Sequence, residues 1–282
     1  MTSWLVTGAR GMLGTDLVDV LRAAGHEVTA LGRTDLDVLD ASAVHEAVAG
    51  HAVVVNCAAW TAVDDAESHE TEAHAVNAVG AGNVATAAAA HGARMVHVST
   101  DYVFDGAAST PYAEDAPTRP VGAYGRTKAA GEELVRANAP DHLVVRTAWL
   151  YGAHGPCFPR TIARLLAERE QVAVVDDQRG QPTWTRDVAQ LVERLASRAP
   201  AGTYHATSSG ETTWFGFARA VAAALDLDPA RVTPTTSDAF VRPAPRPAFS
   251  VLGHEALRAV GIAPIGHWHE RWREAAPAVL DL

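Results

Sequence analysis

The sequence predicts an α/β protein, a doubly wound parallel sheet followed by a smaller C-terminal α/β lobe. Three observations carry this. Short β-rich runs alternate with Ala-rich helical stretches through the first half of the 282 residues, the rhythm of a parallel sheet covered by helices on both faces. The runs are apolar almost without interruption, as strands buried on both sides require. The first run also passes directly into a turn with glycine at every third position, Gly8, Gly11 and Gly14.

Taken in order, the first strand is Trp4–Thr7, and the segment Gly8-Ala9-Arg10-Gly11-Met12-Leu13-Gly14 opens a helix to about Ala24. Glu27–Leu31, Val53–Cys57, Met95–Ser99 and Leu143–Arg146 read as the second to fifth strands. Between the third and fourth, Ser68 is placed to cap a helix that carries Glu70 and Glu72 in its first turn and runs to about Ala90. Beyond Trp149 the pattern loosens into Gly152–Pro159, a helix to about Arg169, a strand Val172–Val175 and a Pro-rich stretch from Pro234 to Pro247. The expected division is a nucleotide-binding domain at 1–150, rejoined by parts of about 170–190 and 212–228, and a substrate-binding lobe made mainly of 151–282.

The balance of 23 basic against 33 acidic residues, a net charge of −10, argues against a nucleic-acid partner, whose binding rests on phosphate neutralisation. An anionic small substrate remains open if local arginines or helix N-termini hold it. Two cysteines, Cys57 and Cys157, are too few for a disulfide framework. The N-terminus lacks a signal-peptide core, and no run approaches the roughly eighteen apolar residues of a membrane span, so the expected location is the cytoplasm, with no membrane partner. A homodimer is neither required nor excluded.

Each glycine of the first turn has a physical task. Gly8 permits the tight turn, Gly11 lets backbone N–H groups approach a pyrophosphate, and Gly14 lets the helix pack close to the sheet. Dinucleotide binding, in the manner of a Rossmann fold, is the reading this supports. The second strand ends Leu31-Gly32-Arg33, without the acid that binds the ribose hydroxyls of NAD and with a guanidinium available for a 2′-phosphate. Arg33 therefore points to NADPH. Asp35 and Asp37 follow closely, and NADH stays open as a second cofactor.

Tyr124 and Lys128 stand four positions apart at the start of a helix, on one face. A fixed ammonium beside a phenol is expected to lower its pKa from about 10 toward the range of proton transfer. Lys128 is the only lysine in the chain, every other basic residue being arginine. A position spared that bias suggests a task a guanidinium cannot perform. Ser99-Thr100-Asp101 follows the fourth strand at its carboxyl end, where parallel-sheet proteins gather ligands, and Thr100 is placed to hydrogen-bond a substrate carbonyl.

Together, Gly8–Gly14, Ser99-Thr100-Asp101-Tyr102-Val103-Phe104-Asp105-Gly106 and Tyr124-Gly125-Arg126-Thr127-Lys128 resemble the extended short-chain dehydrogenases/reductases, and within them the dTDP-4-dehydrorhamnose reductase family. The likeness continues through Leu36–Asp40, Asn56–Asp64, Arg146–Gly152, Asp177–Thr183, Gly202–His205, Thr212–Trp214 and Arg246-Pro247. The resemblance implies cofactor contacts from Gly11, Met12 and Leu13 at the pyrophosphate, Asp37 and Val38 around the adenine, Ala59, Trp60 and Thr61 along the middle, and Lys128 at the nicotinamide ribose. It further implies that Thr100 and Asp101 meet the sugar of a nucleotide-linked 4-ketosugar, that Trp149 lines its pocket and that Arg246 serves the diphosphate. The implied reaction is reduction of the C4 ketone of dTDP-4-dehydro-β-L-rhamnose, with Thr100, Tyr124 and Lys128 as the catalytic set. Cys157 before Phe158, Trp60, and Gly155-Pro156 depart from the family's usual residues, all on the substrate side.

Two rival readings share the fold. A nucleotide-sugar epimerase or dehydratase would keep and recycle its cofactor; related dehydratases carry a Glu after Thr-Asp, where this chain has Tyr102. A non-catalytic regulatory subunit would ordinarily have lost part of the set Thr100, Tyr124 and Lys128. The 13 histidines show no metal-ligand spacing, and no catalytic metal is expected.

Overall fold

The computed structural model describes residues 2–282. Six parallel strands form the main sheet: β1 (Ser3–Thr7), β2 (Glu27–Leu31), β3 (Val53–Asn56), β4 (Arg94–Thr100), β5 (His142–Thr147) and β10 (Gly202–His205), in the order β10-β5-β4-β3-β1-β2. The five expected strands are present to within a residue at each end. The sixth, β10, closes one edge of the sheet beside β5 and was not expected, because Gly-Thr-Tyr-His carries no apolar run.

Strand order reverses at β1, with β2 on one side and β3 on the other. A crevice opens at such a switch point, at the carboxyl ends of the strands. The helices α1 (Met12–Ala23) and α7 (Thr185–Arg198) pack on one face, where Trp4, Val6, Leu17, Val145 and Leu191 are buried. On the other face α2 (Ala41–Val48), α4 (Ala81–Ala90) and α5 (Ala123–Asn138) cover Leu5, Val54, Met95 and Val144. Successive strand side chains alternate between these two layers, which is why the runs read as unbroken apolar sequence. Each fully buried Val or Leu contributes about 1.5–3 kcal/mol of transfer free energy.

Ser68 does not cap the helix that follows it. Its hydroxyl turns back to donate to Asp65 O, and α3 (Glu70–His74) begins after His69. The helix is then widened into a π-helical stretch, Ala75–Gly80, before continuing as α4. Such stretches concentrate at functional sites, and this one seats the fully buried Asn77 under the Trp60 segment.

A second core gathers Tyr151, Ile162, Leu166, Trp184, Phe217, Trp268 and Trp272. It is built from the short strands β6 (Leu150–Tyr151), β7 (Val172–Val175), β8 (Arg179–Gly180) and β9 (Thr183–Trp184), and from helix α6 (Phe158–Glu168). Strands β11 (Ser208–Ser209), β12 (Thr212–Thr213) and β13 (Val232–Thr235) join it, with helices α8 (Trp214–Ala224) and α10 (Trp268–Leu280), whereas α9 (Glu255–Ala259) and β14 (Ile265–His267) carry Leu257 and Ile265 into the core covered by α1 and α7. The segment that returns to the main sheet is Thr185–His205, as α7 and β10. Helix α8 instead packs in the second core with α6 and β7, where the sequence pattern had placed 212–228 against the first. Among the described residues no helix is long and apolar enough to cross a membrane.

Candidate active site

The turn after β1 has the geometry its glycines foretell. Gly8 sits at φ 63°, and a Cβ there would lie 2.6 Å from the Ala58 nitrogen, so the turn passes hard against the chain leaving β3. A Cβ on Gly14 would collide with Gly8 O, which fixes the close helix approach. Gly11 stands at the N-cap of α1 with no side-chain cap, and the helix carries no acid in its first turn. The leading N–H groups there, at Met12 and Leu13, remain donors for an anion, reinforced by the helix dipole.

Across the crevice, Asn56 and Asn77 hold the segment Ala58-Ala59-Trp60-Thr61. Asn56 Oδ1 accepts from Ala58 N (3.2 Å); Asn77 Oδ1 accepts from Trp60 N (2.8 Å) and its Nδ2 donates to Trp60 O (3.2 Å). Asn77 Nδ2 also reaches Thr127 Oγ1 (3.0 Å), tying the segment to α5. Trp60 Nε1 is buried with no hydrogen-bond partner. A crevice lined by free helix N–H groups on one side and a clamped backbone on the other fits a dinucleotide. Gly11, Met12 and Leu13 would hold its pyrophosphate, and Ala59, Trp60 and Thr61 its central part.

At the end of β2, Arg33 is exposed, and a second guanidinium stands beside Gly32. Arg10 lies over Gly32 and pairs with Asp35 (2.9 Å) and Thr34 (3.1 Å). The sequence signal for Arg10 was its place inside the glycine turn. Asp37 is exposed and accepts from Leu39 N, while Val38 is buried against Gly80 with its carbonyl held by Asn83 (3.0 Å).

Tyr124 and Lys128 occupy the first turns of α5. Gly122 at its N-cap offers no side chain, and Glu67 substitutes from a distance by accepting from Ala123 N (2.8 Å). Arg126 makes a two-pronged pair with Glu70, 2.8 Å on each arm, which pins the same turn to α3. Gly125 lies too close to Tyr102 O for any side chain. The helix start is therefore fixed in position from three sides.

At the end of β4, Thr100 Oγ1 donates to Asp101 Oδ1 (3.0 Å) and accepts from Tyr102 N (3.2 Å). The Thr100 hydroxyl lies against the Tyr124 phenol, whose ring meets Tyr102 edge-on at 5.6 Å. Thr100, Asp101 and Tyr124 thus share one corner. Burial pushes the Tyr124 phenol up to about 12, against the opposing effect of Thr100, and pushes Lys128 down to about 8. The expected lowering of Tyr124 by Lys128 is not present. The lysine instead donates to Val98 O (2.6 Å), and withdrawal from water dominates both groups. A neutral phenol is the form needed to give a proton to a developing alkoxide.

Asp101 is almost fully buried; burial raises its carboxyl to about 6, with the Ser250 and Thr100 hydroxyls acting the other way. Trp149 has φ 45°, a strained setting for a side-chain-bearing residue that costs about 1–3 kcal/mol. It is stacked on Trp214 with centroids 3.6 Å apart and 8° between planes, over Gly180, and Phe158 packs against Trp214 at 4.5 Å. Gln178 fixes the far edge by accepting from Trp214 Nε1 (3.2 Å). The Pro-rich segment carries Arg246, which donates to Asp64 Oδ1 (2.8 Å) and Ala244 O (3.2 Å). Trp214, Asp101's burial and the Asp64 partner of Arg246 were not legible as site features.

A parallel α/β sheet with a glycine turn at its switch point, and Thr100 and Tyr124 brought together at the end of a neighbouring strand, defines an NAD(P)-dependent oxidoreductase of the extended short-chain dehydrogenase/reductase class. The family model described as the RmlD substrate binding domain matches residues 2–280, and the chain belongs to that family. It is 52% identical to a dTDP-4-dehydrorhamnose reductase of Streptomyces griseus, over 98% of this chain and 93% of the relative. It is 49% identical to a dTDP-4-keto-6-deoxy-D-glucose reductase of Streptomyces niveus, over 97% and 96% respectively. Among solved structures, a dTDP-4-dehydrorhamnose reductase of Bacillus anthracis in complex with NADP superposes with a TM-score of 0.94 at 35% identity, covering 97% of this chain and 98% of that one.

Proposed function

We propose that this chain reduces the C4 ketone of a dTDP-linked 6-deoxy-4-ketohexose to an alcohol with NADPH, dTDP-4-dehydro-β-L-rhamnose giving dTDP-L-rhamnose. The observation that carries the proposal is the meeting of Thr100 and Tyr124 at one corner, with Lys128 one turn along the same helix, beside the glycine-turn crevice. When bound, the nicotinamide supplies the hydride. Thr100 orients the carbonyl, and Tyr124 delivers the proton as charge develops on oxygen, a contribution of roughly 10²–10⁴ in rate. Lys128 is placed to steady the tyrosinate left behind. Arg10 and Arg33 together form the recognition pair for a 2′-phosphate, which favours NADPH over NADH.

Residues 1–150 with the returning segment 185–205 would carry the cofactor, and the second core the sugar and its nucleotide. There Trp149 and Trp214 present a flat apolar wall, and Arg246 can exchange Asp64 for a phosphate. A cytoplasmic setting suits a chain whose two cysteines are both free thiols, Cys57 pushed up to about 12 by burial and so inert. The test is a panel of nucleotide-linked 4-ketosugars incubated with NADPH or NADH, with product configuration at C4 read by NMR. The proposal expects stoichiometric NADPH oxidation with the dTDP-linked 6-deoxy-4-ketosugars. Retention of the ketone with loss of water, or epimerisation without NADPH consumption, would replace it with one of the rival activities.

A further inference from the structure

One polar rung crosses the sheet behind the proposed site, and the described mechanism does not use it. Thr7, Asn56 and His97 are in register on the adjacent strands β1, β3 and β4, so their side chains share one level on one face. His97 is fully buried, an unusual place for a histidine between Val96 and Val98.

The hydrogen positions on this rung follow from one fixed donor. The Ala58 backbone N–H can only donate, and it meets Asn56 Oδ1 at 3.2 Å; the Thr7 hydroxyl donates to the same oxygen at 2.7 Å. The amide nitrogen of Asn56 must then be the atom facing His97 Nδ1, at 3.3 Å. An amide nitrogen has no acceptor capacity, so Nδ1 of the ring accepts. Burial, with the Lys128 and Arg136 charges adding to it, holds the ring's pKa well below the ordinary histidine value, so the ring is neutral. A neutral imidazole that accepts at Nδ1 carries its hydrogen on Nε2. Nε2 lies 3.4 Å from Lys128 Nζ.

We infer that His97 is a positioning residue that acts through Lys128, aiming its Nε2–H at the lysine nitrogen and so loosening the lysine's hold on its proton. An ammonium there would face a second donor; a neutral amine would accept from it. The groups around Lys128 come from each neighbouring element. They are the Cys57 thiol after β3, His97 on β4, and Tyr124 and Glu132 on α5. Glu132 is the one carboxylate among them, and its charge is drawn off by Arg146 (2.8 Å) and Arg136 (2.6 Å). The Val98 carbonyl, which accepts from Nζ at 2.6 Å, and the Glu132 charge favour the ammonium; the ring N–H acts against them on the same side as burial, which prevails and pushes the lysine down to about 8.

The kinetic consequence rests on the proposed reduction, whereas the ring tautomer does not, so the two can fail separately. Long-range ¹H–¹⁵N correlation NMR of the wild-type protein, with the His97 signals assigned by His97→Gln, is expected to show the hydrogen on Nε2. A hydrogen on Nδ1 would overturn the inference whatever the kinetics show. In the second measurement, pH profiles of kcat for NADPH-dependent reduction are compared. Wild-type activity should fall as Lys128 deprotonates near pH 8. In His97→Gln the amide oxygen can turn to Nζ, and the alkaline limb should move up by about one pH unit, a tenfold tighter proton. An unmoved limb in the folded variant would also overturn it. If the wild type reduces no ketosugar, the reductase reading falls and the tautomer still decides the role of His97.

Discussion

Asp101 shows how far the site departs from what folding alone would favour. Its carboxyl is raised to about 6 by burial, so the folded state binds its proton more tightly than the unfolded chain, where the value is near 3.9. The sign follows: the penalty is absent below about pH 4, grows as pH rises toward 6, and is fully present above it. Asp101→Asn removes the charge while keeping the shape. At pH 7 the variant is expected to be more stable than wild type by on the order of 1–3 kcal/mol, with the difference vanishing near pH 4. Urea unfolding at several pH values checks this, and a wild type that gains on the variant as pH rises would contradict it. Activity is expected to drop in the same variant, since Asp101 accepts from Thr100. Much at this scale was readable beforehand: Gly8, Gly11, Thr100, Tyr124 and Lys128 announce themselves by residue type and spacing. His97, Asn77 and Glu132 do not, because each is tied to a partner 31 to 50 positions away in sequence, a meeting only the fold creates.

Helix α5 carries both Tyr124 and Lys128, and its register against β4 and β5 is set by a buried ionic cluster. Glu132 is fully buried and takes Arg146 on both oxygens at 2.8 Å, Arg136 at 2.6 Å and the Ser99 hydroxyl at 2.6 Å. With so many donors the carboxyl is held below its ordinary range despite its burial, which by itself would raise it. Ser99 is the neighbour of Thr100, so the cluster couples the helix to the strand end. Glu132→Gln would leave Arg146, only 2% exposed, with its charge unpaired, and is expected to destabilise by about 3–5 kcal/mol. Chemical denaturation at pH 7 measures it; a loss under 1 kcal/mol would mean that the cluster does not hold the helix. The strands were legible because their apolar runs leave no alternative. The π-helical stretch and β10 were not. Ala75–Gly80 has the composition of an ordinary helix, and β10 is a strand only because β5 offers it an edge.

For the whole molecule, the fold separates two tasks. In the proposed function the main sheet and its glycine turn take the dinucleotide, while the second core offers an aromatic wall and the Pro-rich segment offers Arg246 to the sugar nucleotide. Met12 touches both, since it lies in the first turn of α1 and packs against the second core. Ligand binding to the folded chain should therefore stabilise it. NADPH at a hundred times its Kd is expected to add about 2.7 kcal/mol, seen as a rise in Tm, with a smaller rise for NADH at equal concentration. Equal shifts would remove the assignment of Arg10 and Arg33 to a 2′-phosphate. The positions of the main sheet's first five strands followed from the sequence rhythm, but the return of 185–205 did not. Thr185–His205 joins the first layer through α7, whose apolar stripe is indistinguishable in sequence from one facing the second core.

The central claim is a reduction at C4 with Tyr124 as proton donor. Its most direct test uses NADPH deuterated at the nicotinamide C4 and dTDP-4-dehydro-β-L-rhamnose, with wild type and Tyr124→Phe side by side and NMR of the sugar product. The account predicts deuterium at C4 of dTDP-L-rhamnose from the wild type, and turnover lower by roughly 10²–10⁴ in a variant that still binds NADPH. Deuterium missing from that carbon, or a phenylalanine variant that works at full rate, would contradict it.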